Sequence, residues 1–397
     1  MLSPPHPSAK VRERLVRFLE EQTGQGFGDD LRAWRRWYWN LPYAPHPGYA
    51  QLKAGLYSQV DERMGRLVRA GGATIRLDEV DWSGRRPGLI PVLEHPKHVA
   101  ATEADYLGDK HVVFGLSVGG QARAYPERIL AWHELTHDRL GGTELTIVSD
   151  VLCGSVVPFD DEVRGAHRTF APSSLIYRSN KLIFDEETES LWSTITGRPV
   201  IGLATAHDVE LRPYPVVTTT WREWTELHPD TTVLSLETGY PFDYSREAPF
   251  RRYLRSDFLP FEVPRHDGRL GMKEPVLALV LPPAGGKKAS EPRALAIRVK
   301  SLEKKGNRLY HMRFAGHQLV IVTSRHGAHR VYAAGETRFV KRERDGRLRD
   351  ASGRHWRLEE AGLMPEAPDL SPKTRLAARR VLWFAWSSQF PDTELVR

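Results

Sequence analysis

The sequence predicts an α+β fold: a strand-rich, internally duplicated mixed domain with a helical N-terminal unit. Three observations carry this. Apolar residues recur three and four apart in the first 72 residues, the period of a helix. From Ala73 the pattern changes to short alternating or β-branched runs punctuated by Gly-Gly pairs, the pattern of strands and turns. Finally, Gly316-His317-Gln318-Leu319-Val320-Ile321-Val322-Thr323-Ser324 resembles Gly142-Thr143-Glu144-Leu145-Thr146-Ile147-Val148-Ser149-Asp150, as an internal repeat would.

At 397 residues the chain exceeds the roughly 250–300 at which one core stops growing. We therefore divide it into a helical unit (1–72), a first strand-rich repeat (73–244), a join (245–275) and a second, degenerate repeat (276–397). A hydrophobic content of 40% with 27% charged residues fits a globular protein. No run approaches the ~20 apolar residues of a membrane span. The opening Met1-Leu2-Ser3-Pro4-Pro5-His6-Pro7 lacks the apolar core of a signal peptide, so a cytoplasmic location is expected. One cysteine excludes an intramolecular disulfide. The net charge of +7 is spread along the chain rather than gathered on one helix or tail. That disfavours a nucleic-acid partner and leaves a small-molecule or peptide substrate as the expectation.

Taken in order, Val11, Leu15, Phe18 and Leu19 line one helix face before Gly24, over residues 10–23. Asp29-Asp30 precede a second helix with Leu31, Trp34, Tyr38 and Leu41 as its stripe. Its cluster Trp34, Trp37, Tyr38 and Trp39 reads as a face docked on the main body rather than a base-stacking platform. A Pro-rich connector, 41–47, leads to a third helix over 49–69. Ile75–Val80 alternates as a strand. Val112–Val118 and Gln121–Tyr125 flank Gly119-Gly120 as a hairpin. Pro126 to Asp138 reads as a helix, with Ile129, Trp132, His133 and Thr136 on one face. Strands follow at Leu145–Asp150, His167–Phe170, Leu175–Tyr177 and Leu182–Phe184. Thr218-Thr219-Thr220-Trp221-Arg222-Glu223-Trp224 opens a short helix with a threonine as cap, and Thr232–Ser235 is strand-like. In the second repeat Ala294–Ser301 overlays Ala122–Ile129, and Gly327 falls where Cys153 sits.

The candidate site is the tight connection holding Cys153-Gly154-Ser155. A thiol there is a nucleophile or soft metal ligand only as thiolate; a small buried core residue is the alternative. On the expected helix, His133 is the candidate base or ligand, with Glu134 as the accompanying carboxylate. His137 stands one turn on, at metal-ligand spacing. Arg178 and Asn180 suit recognition of a carboxylate or amide; a locally bonded hairpin turn is the alternative.

Several motifs together carry a resemblance: Ala122-Arg123-Ala124-Tyr125-Pro126, Trp132-His133-Glu134, Leu152-Cys153-Gly154-Ser155, Tyr177-Arg178-Ser179-Asn180, Glu189-Ser190-Leu191-Trp192 and Trp383-Phe384-Ala385-Trp386. In this order the chain resembles domain-of-unknown-function family 3179 over roughly residues 73–397. The resemblance implies a fold and a site more than an activity. The family pattern reads Cys-x-x-Cys-Gly-Ser, which implies redox chemistry or a metal. Here Asp150 stands at the first cysteine position. A carboxylate about 5 Å from the thiol, at an effective dielectric near 20, disfavours the thiolate by roughly 3 kcal/mol.

Two expectations follow. The first is a thiol- or metal-dependent enzyme with Cys153, His133 and Glu134 catalytic. Arg178, Asn180, Trp192 and Ser155 would bind its substrate, and Asp150, Cys153 and His133 would hold a transition metal such as zinc. The second is a non-catalytic binding or scaffold member that lost the first cysteine of the motif.

Overall fold

The computed structural model describes residues 8–42, 46–69, 71–244, 250–285, 291–303 and 309–397. Parts of the predicted 41–47 connector and 245–275 join lie outside them. Strand outweighs helix, and helices lead, so the α+β, strand-rich class holds.

The helix Ala9–Thr23 starts at Ser8, whose Oγ accepts from the Val11 amide, and stops at left-handed Gly24. None of its residues is buried. Asp30 caps Leu31–Trp39 through the amides of Arg32 and Ala33. This helix docks on the body: Trp34 and Trp39 are buried, and the Trp39 Nε1 donates to the Asp78 carbonyl at 3.0 Å. The single helix expected over 49–69 is two, Tyr49–Ser58 and Glu62–Arg69. Asp61 breaks it, its Oδ1 accepting from the Arg63 amide at the start of the second helix. Met64, Leu67 and Val68 then pack against Val80, Leu175 and Phe184.

Ile75–Val80 is not one strand. A 3₁₀ turn over Leu77–Glu79 precedes the strand Val80–Trp82. That strand edges an antiparallel sheet with Phe170–Tyr177, Asn180–Asp185, Leu191–Ser193 and Pro199–Ile201. The hairpin Val112–Val118/Gln121–Pro126 forms as expected, with Gly119 and Gly120 both at positive φ (56° and 80°).

The helix expected over 126–138 ends at Leu130. Leu135–Leu140 is instead a strand, paired with Thr143–Asp150 across Gly141-Gly142. The spacing of Ile129, Trp132, His133 and Thr136 mimicked a helix. A full hairpin ladder and a buried partner for Asp138, the Arg123 guanidinium at 2.8 Å, favour the strand. The helical spacing of His133 and His137 therefore does not exist.

Thr143–Asp150 turns back into Ser155–Asp160, with Asp150 opposite Ser155. Leu135, Val148 and Phe159 from this sheet pack on Phe170, Ile183 and Trp192 from the previous one. The site lies at the edge of that interface.

Two stretches share one order of pairings. Val112–Val118 lies between Gln121–Pro126 and antiparallel Val216–Thr220; the helix Trp221–Leu227 then leads to Thr232–Leu234, parallel to Gln121–Pro126. Pro275–Leu281 lies between Arg293–Arg298 and antiparallel Arg379–Leu382; Trp383–Gln389 then leads to Glu394–Val396, parallel to Arg293–Arg298. Each helix packs on its own sheet, and each stretch also bonds to the other. Leu382 N donates to the Cys153 carbonyl at 2.8 Å, and Ser324 Oγ donates to Glu223 Oε2 at 2.7 Å.

Candidate functional site

The local driver is the hairpin turn Tyr177-Arg178-Ser179-Asn180. Tyr177 pairs with Asn180, and the two central residues both take left-handed φ, 45° and 69°. This turn twist suits a hairpin but normally recruits Gly or Asn. A non-glycine residue there costs roughly 1–2 kcal/mol. The surroundings hold it in place. Arg178 Nε donates to Glu79 Oε2 at 2.5 Å, and the Glu79 side chain is fully buried. The Arg178 carbonyl accepts from Asn180 Nδ2 and Ser388 Oγ, both at 2.9 Å. Asn180 Nδ2 also donates to the Ala385 carbonyl at 2.9 Å. Arg178 and Asn180, read as substrate-binding residues, are thus engaged in holding the turn.

Cys153 lies beneath this turn with no exposed surface. It packs among Ile195, Ala278, Val381 and Trp383. Its Sγ donates to the Ser179 carbonyl at 3.1 Å. Asp150 Oδ1 accepts from the Cys153 amide at 3.1 Å, which shapes the connection. Burial pushes the thiol pKa well above its ordinary value, and the Asp150 charge pushes it further the same way. The thiol is protonated and sealed.

His133 points elsewhere. Its Nδ1 lies 2.9 Å from the Pro91 carbonyl, an acceptor only, so Nδ1 carries the proton. Nε2 therefore accepts from the Tyr244 hydroxyl at 2.5 Å. Tyr240, Phe242 and Tyr244 surround the ring. Burial lowers its pKa. Trp192 is a core residue whose Nε1 donates to Asp185 Oδ2 at 2.7 Å. Ser155 is buried in the strand pairing opposite Asp150.

These positions correct the first expectation. Cys153 and His133 are each satisfied separately, and among the described residues no group of three or more His, Cys, Asp or Glu could hold a metal ion. The chain has a single cysteine, so the Cys-x-x-Cys pair implied by the family pattern does not exist. A thiol- or metal-dependent enzyme built on Cys153 and His133 is overturned, and with it the reading of a cysteine site and of metal binding. A metal does not fit the Asp150 corner for a further reason: an ammonium is already there.

That ammonium is Lys181. It starts the strand after the turn, on the face that Ile183 continues into the interface core. Its Nζ sits 2.9 Å from Glu134 Oε1 and 3.3 Å from the Ser149 carbonyl, and its backbone amide is 3.4 Å from Asp150 Oδ2. Burial pushes its pKa down, but Glu134 and then Asp150 outweigh this, and the value stands raised. Glu134, Asp150 and Lys181 line a cavity of about 140 Å³ together with Ser174, Ser179 and Phe261. Glu134, Asp150 and His133 among the predicted residues border it; Cys153, Arg178, Asn180, Trp192 and Ser155 do not. Sequence reasoning missed Lys181. The available signal was one lysine opening an otherwise buried run, Leu182-Ile183-Phe184.

The sequence model of the family described as "Protein of unknown function (DUF3179)" matches residues 87–393. No curated protein and no solved structure matches the chain.

Proposed function

The chain belongs to the DUF3179 family, and from that premise we propose that it is a non-catalytic binding member whose receptor is the Lys181 cavity. The observation that supports this most is the placement of the Lys181 ammonium against Glu134 beside Asp150, with the only thiol protonated and closed off below. Such a corner offers fixed charges and hydroxyls to a ligand without an activated nucleophile. The cavity volume resembles the ~150 Å³ that accommodates a benzene-sized molecule, so the ligand is small. A nucleic acid is not part of this reading.

The test is a small-molecule binding screen by ligand-observed NMR on the full chain and on Ser83→Trp. Ser83 is exposed and lines the cavity, so a tryptophan there obstructs it at little cost to the core. Ligands that saturate the parent chain and are lost from the variant support the proposal. A screen that yields no ligand sensitive to Ser83→Trp refutes it.

We also propose that the shared order of pairings reflects an internal duplication, with the helices 221–227 and 383–389 in equivalent places, each packed on its own sheet and touching the other copy. One side-chain detail supports it. Trp224 Nε1 donates to Thr231 Oγ1 at 2.8 Å, and Trp386 Nε1 donates to Thr393 Oγ1 at 3.0 Å. Both pairs are seven residues apart and both end in Pro-Asp-Thr. The second copy carries no counterpart of Cys153, which supports a structural role for it. A chain ending before 276 should then fail to fold alone, because helix 383–389 would be missing from the Cys153 connection. Native-like circular dichroism and cooperative unfolding of such a fragment would count against that interdependence of the copies.

A further inference from the structure

Independently of the cavity, we propose that the helix Ala9–Thr23 is the contact through which two copies of this chain associate, antiparallel, across a twofold axis. Val11, Leu15, Phe18 and Leu19 share one face of this helix, and all four are open to solvent, Phe18 by 57%. The half-buried residues Val16, Glu20 and Thr23 share a different face. Glu20 Oε1 accepts from the Gly28 amide at 3.0 Å, and the Gly28 carbonyl accepts from Nε1 of buried Trp34 at 3.0 Å. The helix is therefore seated on the docked helix Leu31–Trp39 with its apolar stripe outward. A contiguous apolar stripe left facing water marks a contact site.

The charges that border the stripe choose the occupant. At about 100° per residue, Arg14 and Glu21 lie along one edge of it, two turns apart, and Arg12 with Leu19 along the other. Among the described residues neither Arg14 nor Glu21 is ion-paired; the helix's own pair, Arg17 with Glu13 at 3.3 Å, lies on the far face. When two such helices pack antiparallel, Leu15 of each copy lies against Phe18 of the other. Arg14 of each copy then faces Glu21 of the other, twice over by symmetry. A parallel pair sets Arg14 beside Leu19 instead and leaves both charges unanswered. A lipid surface makes no use of the acidic residues: Glu13, Glu20 and Glu21 nearly balance Lys10, Arg12, Arg14 and Arg17. The helix is only about 22 Å long, and its outer layers set Val11 against Gln22. The contact is thus smaller than a standard stable interface, and the association is weak and concentration-dependent.

The experiment is sedimentation velocity on the full chain, from about 1 µM to about 0.5 mM at physiological ionic strength. The weight-average mass should rise with concentration from 45.1 kDa towards twice that value. Leu15→Glu and Phe18→Glu, both at exposed positions, should each hold the chain monomeric; two sites are used so that a folding defect in one, seen by circular dichroism, does not decide the result. Arg14→Glu and Glu21→Arg should each weaken self-association by about fivefold or more, because like charges then face each other. An equimolar mixture of those two variants should associate about as tightly as the parent, since each supplies the charge the other lacks. A parent chain that stays monomeric throughout overturns the proposal, as does a dimer that survives Phe18→Glu. Failure of the mixture to recover overturns the antiparallel pairing, and the proposal with it. A monomeric chain that floats with vesicles of equal phosphatidylcholine and phosphatidylglycerol, and is released by Phe18→Glu, assigns the stripe to lipid and refutes the second copy.

Discussion

Replacing Lys181 by methionine tests the electrostatics of the cavity directly. The change keeps the length and apolar stem and removes only the charge. Glu134 then faces Asp150 with no cation between them. Removing one partner of a buried ion pair costs about 3–5 kcal/mol. The Lys181 and Glu134 side chains keep 19% and 20% exposure, so solvent screens part of that. We expect a loss of roughly 2–3 kcal/mol at neutral pH. The pH dependence has a definite sign. The folded-state pKa of Lys181 is raised. Its contribution is therefore complete below the unfolded lysine value, near 10.4, and is lost as pH climbs through the folded value. Urea unfolding from about pH 7 to about pH 11.5 should show the parent chain losing stability at the alkaline end. The Lys181→Met chain should start lower and lack that component, so the two curves converge. Adding Glu134→Gln to Lys181→Met should recover about half of the loss or more, because one of the two stranded charges is gone. A Lys181→Met chain within about 0.5 kcal/mol of the parent at neutral pH, or curves that fall in parallel, would refute the reasoning.

Other consequences are equally accessible. A thiol-specific reagent at about pH 8 should leave Cys153 unmodified in the native chain and label it on unfolding; rapid native labelling would contradict a sealed, protonated thiol. Ser179→Gly should stabilise the chain by about 1 kcal/mol, since glycine takes the 69° φ without strain, while weakening any cavity ligand; a loss of stability would show that the serine hydroxyl, not the backbone, dominates there. Burial lowers the pKa of His228 and His329 to about 4 each. Their contribution is therefore present above the unfolded value near 6.5 and lost as pH falls towards about 4, by at most about 3 kcal/mol each. His329→Gln should flatten that acid limb, and an unchanged limb would remove the argument. Arg178→Met should cost about 3 kcal/mol by stranding the Glu79 carboxylate, whose next cation, Arg265, is 4.0 Å away; Glu79→Gln in the same chain should restore part of it, and no restoration would assign the loss to the turn itself.

The strands were legible where pattern and turn chemistry agreed, as at Gly119-Gly120 and through Leu145–Asp150. The misreading over 131–138 arose because an i, i+3, i+4 pattern also occurs when a short helix runs into a strand. Only the pairing of Leu135–Leu140 with Thr143–Asp150 decides between them, and the spacing of apolar residues over 126–138 does not contain it. The site was half legible. Asp150 and Glu134, named from their residue types, border the cavity, whereas Cys153 does not. What the side chains face was not legible, because it depends on which strand passes over which. His133 turned to Tyr244, more than one hundred residues on, while Lys181 came from a hairpin that seemed to offer only Arg178 and Asn180. The electrostatic argument from Asp150 did carry through: a nearby carboxylate raises the Cys153 pKa in the structure as it does on paper.

The bonds that tie helix 383–389 to the site turn span more than two hundred residues of chain: Asn180 to Ala385, Ser388 to Arg178, and Gln389 to Tyr177. A ribosome adding about 5–20 residues per second would finish the turn tens of seconds at the slow end, and some ten at the fast, before it supplies the clamp. During that wait the Arg178-Ser179 hairpin must keep its unfavourable dihedrals without help from the far end, or adopt them only afterwards. Completion of the site turn is thus timed by translation, and codon-dependent slowing in the intervening stretch would lengthen the period in which the turn stands without its clamp.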